Sequence, residues 1–177
     1  MSCSHQWRLT AVAAAVLTMS SASAHITLEK REAAIGNSYK AVFVVPHGCA
    51  GSATIKIRVQ IPEGVVAVKP MPKAGWNIEV IKGKYAGEYD VHGAKLSEGV
   101  KEVVWSGGKL PDDFYDEFVL SSFLTAGLKP NTTLYFPTVQ ECEQGISRWI
   151  DIPAGGEAAH DHEDKWPAPG VKLTPKP

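Results

Sequence analysis

Between residues 54 and 61 the chain alternates. Ile55, Ile57, Val59 and Ile61 fall on one side, Lys56, Arg58 and Gln60 on the other. A period of two sends successive side chains to opposite faces of a sheet, so this stretch predicts a half-buried antiparallel strand. Residues 39–45 are β-branched and aromatic and stop at Pro46, where His47-Gly48-Cys49 reads as a turn. Further strands are predicted over 26–29, 65–69, 76–81, 85–91, 100–105, 118–124, 133–139 and 147–152. Turns are expected at 32–36, Pro62-Glu63-Gly64, Gly107-Gly108 and 129–132, and a short helical turn near 112–115. No stretch of the domain has helical periodicity. Short strands at regular spacing predict an all-β fold, a single β-sandwich of immunoglobulin or cupredoxin-like type.

The two ends read differently. Residues 1–24 combine Arg8, an apolar run over 9–19 and the small-residue pattern Ala22-Ser23-Ala24, the signature of a secretory signal cleaved after Ala24. The β domain is expected over 25–153. From Ala154 onward low hydrophobicity and repeated proline predict a disordered tail over 154–177, carrying His160-Asp161-His162-Glu163-Asp164.

Charge narrows the function. With 18 Lys and Arg against 19 Asp and Glu the net charge is -1, and losing Arg8 with the signal makes it -2. That balance argues against nucleic acid or an anionic membrane surface as partner. No stretch after the signal is long and apolar enough for a transmembrane anchor, so a periplasmic or secreted protein is expected. Cys3 leaves with the signal. Cys49 and Cys142 remain, and in an oxidising compartment a disulfide is the default, with a thiolate metal site as the alternative.

Cleavage after Ala24 would make His25 the first residue. An α-amine ordinarily titrates at roughly 7.7–8.0, so that of His25 gives up its proton to a metal near neutral pH and chelates together with Nδ1 of the same residue. His47 on its turn is a candidate second imidazole, and Trp149 a candidate water-excluding neighbour. Each has a plainer reading: some residue must come first, turn histidines are usually solvated, and buried tryptophans usually fill cores. The acidic run 112–117 offers mainly solvated carboxylates. His160 and His162 form a flexible chelator for Cu, Ni or Zn, or simply a solvated tail. Amine and imidazole nitrogens favour Cu(II), whereas zinc usually takes three or four His, Cys or carboxylate ligands. Phosphate loop, nucleophile elbow and HExxH are all missing from the sequence, so hydrolytic catalysis has no support.

Several motifs together carry a family likeness. Ala24-His25-Ile26-Thr27-Leu28, the strand between Gly36 and Pro46, Pro72-Lys73-Ala74-Gly75-Trp76, Trp105-Ser106-Gly107-Gly108, Leu110-Pro111-Asp112 and the segment from Cys142 through Arg148-Trp149 resemble the YcnI-like copper-binding domain family over nearly all of 25–153. The resemblance implies an exported β-sandwich that binds Cu(II) by a mono-histidine brace of N-terminal amine and imidazole, a glutamate and a nearby tryptophan. His25 and Trp149 match, but the glutamate position falls on Tyr39, a poor ligand at neutral pH because a phenol has a pKa of about 10. His47 is the first substitute expected, with Glu141 or Asp116 behind it. The expected function is a copper carrier or chaperone, not an enzyme, exchanging Cu(II) with another copper-handling periplasmic or membrane protein. Two alternatives stand beside it: an oxidative copper enzyme with a histidine brace like that of lytic polysaccharide monooxygenases, and a metal-free Ig-like interaction module.

Overall fold

A computed structural model describes residues 25–153 and 166–177; the signal segment, and His160 and His162 with it, lie outside the described residues. In chain order the strands are β1 (Thr27–Leu28), β2 (Glu32–Ala34), β3 (Ser38–Val45), β4 (Thr54–Gln60), β5 (Val65–Pro70), β6 (Asn77–Val91), β7 (Ala94–Leu110), β8 (Asp116–Leu124), β9 (Thr133–Tyr135), β10 (Thr138–Cys142), β11 (Ile146–Trp149) and β12 (Gly170–Thr174). One sheet runs β1-β3-β8-β5 and a second β11-β10-β4-β7-β6, while β2-β12-β9 make a small third sheet. The described residues include no helix. The expected all-β sandwich is what forms.

The core lies where the inward faces meet. β3 contributes Tyr39, Ala41, Phe43 and Val45, β8 contributes Phe118, Leu120 and Leu124, and β4 contributes Ile57 and Val59. Against them pack Val103 and Trp105 of β7. Phe118 sits at the aromatic centre, edge-on to Trp76 at 4.9 Å and to Trp105 at 5.6 Å. Such T-shaped pairs add roughly 0.5–1.5 kcal/mol each beyond simple burial.

Several expectations change: residues 32–34, expected in a turn, form β2, and the strand expected over 133–139 is broken into β9 and the start of β10. The strands expected at 76–81 and 85–91 are one strand, and 100–105 belongs to the equally long β7, because the register shifts after Ile81 and Lys84 absorb the glycines as bulges. Gly107-Gly108 is not a turn but part of β7: the Trp76 indole lies on Gly108, where a Cβ would come within 2.3 Å of the ring. In β4 an irregularity between Thr54 and Lys56 turns Thr54 fully inward and leaves Ile55 half-exposed. Near 112–115 the chain makes only a turn, closed by Phe114 N–H to Pro111 O at 3.2 Å.

The tail changes most. Residues 166–177 are ordered, and β12 pairs parallel with β2 and antiparallel with β9, burying Val171 and Leu173. Their alternation with Lys172 and Thr174 is a strand signal that the surrounding prolines and lysines hide. The domain therefore extends past residue 153 rather than ending there.

Candidate metal centre

β3 ends because Pro46 has no N–H to continue the ladder. The chain then closes on itself, Cys49 N–H bonding Ser52 O at 2.9 Å and Ser52 N–H bonding Cys49 O at 3.0 Å. Ala50 and Gly51 take positive φ of 49° and 86° to make the turn. Three of the anchors that hold this loop to the sandwich lie close to His47. Cys49 is disulfide-bonded to Cys142, with Cα atoms 6.0 Å apart. Gly48 N–H donates to Asp112 Oδ1 at 2.8 Å, and Gln140 Nε2 donates to His47 O at 2.7 Å. Gly48 has no room for a side chain, since a Cβ would lie 1.9 Å from Ser52 O. Gly48→Ala is expected to cost about 2–3 kcal/mol as an overpacked site, read as a lower melting temperature.

The anchored loop orients the His47 ring. Its Nδ1 lies 2.6 Å from Gly48 O. A carbonyl only accepts, so Nδ1 carries the hydrogen, and in the neutral ring the lone pair is on Nε2. A backbone carbonyl holding one ring nitrogen is the usual arrangement behind a histidine ligand, because it fixes the tautomer and the ring plane.

His25 reaches the same end of the sandwich through sheet register. Thr27 pairs with Val44 and Leu28 with Phe43. Carrying that antiparallel register two residues further sets His25 opposite Pro46, the neighbour of His47. The His25 ring also stands edge-on to Trp149, centroids 5.3 Å apart at 76°. Trp149 is 2% exposed, and its indole N–H donates to Gln140 Oε1 at 3.1 Å. His25 thus touches Trp149, and Gln140 links Trp149 to the backbone of the His47 loop.

The proposed third ligands do not join them. Tyr39 is the second residue of β3, seven residues before Pro46, which is about 23 Å along a strand. Its buried hydroxyl donates to Lys30 O at 2.7 Å, and burial first, then the Glu29 carboxylate, push the phenol further above its usual range. Glu141 alternates with the inward Gln140 on β10, so it takes the outer face and pairs with Lys56 at 3.0 Å. Asp116 stands two strands from β1, with Oδ1 on Lys73 Nζ at 2.6 Å. Of the acidic run, Asp112 holds the Gly48 amide. Among the described residues no group of three or more His, Cys, Asp or Glu side chains is placed to hold an ion.

The strap after the tail completes the surroundings. Asp151 N–H bonds Trp166 O at 3.0 Å, and Ala168 N–H bonds Asp151 O at 2.9 Å. These bonds lay Trp166 on Trp149 with ring centroids 4.7 Å apart, so Trp149 has His25 on one side and Trp166 on another. Residues 167–170 then wall an open cleft of about 290 Å³ with His25, Ile26 and Arg31 on its other side. Sequence reasoning passes over both Gln140 and Trp166. Counting back in twos from the disulfide cysteine Cys142 reaches Gln140 and marks it as inward-facing; nothing comparable marks Trp166.

A family model described as a domain of unknown function (DUF1775) matches residues 25–173, the ordered strap included. A crystal structure of an uncharacterized protein from Nocardia farcinica, described as revealing an immunoglobulin-like fold, is similar at 25% identity and a TM-score of 0.59. The match covers 85% of this chain and 98% of that one. No curated protein matches.

Proposed function

The chain belongs to the DUF1775 family, the YcnI-like domain, and from that premise we propose that it is an exported carrier of Cu(II) rather than an enzyme. The observation that carries the reading is the edge-on contact of His25 with Trp149, whose indole is tied through Gln140 to the His47 loop. The donor set fits copper. The mature His25 amine and ring give one chelate and the His47 ring a second imidazole, a nitrogen-rich set that favours Cu(II) over harder ions. Copper is the cargo. His25 binds it in one chelate ring, His47 is pre-oriented by Gly48 O, and Trp149 keeps water from one side. His160 and His162 are proposed as a looser capture site. The partner is proposed to be another copper-handling protein of the periplasm or membrane. The disulfide, and the lack of any described helix long and apolar enough to cross a membrane, are compatible with export.

The reading is tested on mature protein whose first residue is confirmed as His25 by mass spectrometry. Titration is expected to find one tight Cu(II) per chain with a type-2 EPR signal. A chain with one extra residue before His25 keeps both imidazoles but loses the amine, and is expected to lose the tight site. Equal binding by the two chains would rule out the amine as a ligand.

A further inference from the structure

Gln140 sits in β10 between β4 and β11 and is 1% exposed. A primary amide offers two hydrogens and a carbonyl oxygen, and here all are engaged. Nε2 donates to His47 O at 2.7 Å and to Thr54 Oγ1 at 2.8 Å, while Oε1 accepts the Trp149 indole N–H at 3.1 Å. Only this orientation works: turned over, the amide would set its NH₂ against the indole donor. We propose that Gln140 is the positioning residue of the copper centre, setting the Trp149 indole against His25 and, with the same amide, the height of the His47 loop. This inference rests on the copper reading.

The argument turns on what else holds these parts. The His47 loop and β10 are also joined covalently, two residues further along each segment, by Cys49–Cys142. Losing the amide therefore leaves the loop attached to the sheet. What it removes is the hydrogen bond that fixes the plane of Trp149, and the one that pins His47 O. Thr54, 0% exposed, accepts the second amide hydrogen and so holds Gln140 as well. Gln140 makes no contact with the metal itself. It acts through Trp149 and His47.

The test is Gln140→Met, which keeps the length and loses the hydrogen bonds, measured in mature protein with and without Cu(II). In the metal-free protein, exchange of the Trp149 indole hydrogen is expected to speed up about tenfold or more, as for a lost buried hydrogen bond. With Cu(II), affinity is expected to fall about 10–100-fold, the range for outer groups that orient ligands, with an altered EPR signal. Gln140→Glu can still accept from the indole but cannot donate to His47 O. It is expected to restore indole protection and recover affinity only in part. Wild-type affinity and EPR in Gln140→Met, with only a lower melting temperature, would overturn the proposal as a merely structural role. If Gln140→Met does not fold, Trp149→Phe decides: it keeps an aromatic ring and drops the N–H, and unchanged copper affinity there overturns it equally. Wild-type protein without tight copper would overturn the carrier reading instead, and with it this one, while the indole exchange still reports whether Gln140 holds Trp149.

Discussion

Mature protein carrying His25→Ala will bind Cu(II) on the order of 10²–10⁴-fold more weakly than wild type, the usual advantage of tethering two ligating groups over using one. The substitution leaves an α-amine at the first position but removes the imidazole that closes the chelate ring. It also removes the ring that stands edge-on to Trp149 at 5.3 Å. His25 is only half-buried and precedes the first strand, so the fold is expected to be little affected. Isothermal titration of wild type and variant side by side, with far-UV circular dichroism as the check on folding, measures the effect. Tight copper retained by a folded His25→Ala protein would remove the N-terminal centre from consideration. A Cu(II) site dependent on His47 alone is not what this arrangement supports.

Replacing both cysteines, Cys49→Ser with Cys142→Ser, is expected to destabilise the protein by about 4–5 kcal/mol, the chain-entropy value for a link across 93 residues. At the usual few degrees per kcal/mol for a chain of this size, that is a melting temperature lower by roughly 10–15 °C. Copper binding should weaken as well, because Cys49 lies two residues from His47 and losing the bridge removes the covalent anchor of the loop, leaving it to hydrogen bonds such as those of Gln140 and Asp112. Thermal unfolding and copper titration of the double variant separate the two effects. A melting temperature equal to that of oxidised wild type would show that the bridge contributes nothing to stability.

Much of the fold was legible because binary patterning is strong where a sheet has one wet face. β3 and β4 lie close to where alternation and Pro46 put them. Of the candidate site, the pairing of His25 with Trp149 is what the structure brings together, and imidazole and indole drew attention because they carry recognisable chemistry at any position. The neutral part of the site was not legible. On β10 the charged Glu141 drew attention as a ligand, yet it faces out to Lys56, whereas the uncharged Gln140 beside it faces in. The tail misled for a different reason. Disorder is read from average composition, but order in β12 depends on two apolar residues, Val171 and Leu173, each finding a buried place against other strands. The long β6–β7 hairpin was split because glycine reads as a break, and here Gly108 is a seat for Trp76.

The candidate site draws on distant parts of the chain: His25 stands just before β1, and Trp166, just before β12, lies on the tryptophan beside it. The surroundings of His25 are therefore assembled only when β12 has docked at the end of folding. On the proposed reading, a metal ion met before that would find a loose imidazole with no ordered indole beside it, and firm loading with copper would report completed folding.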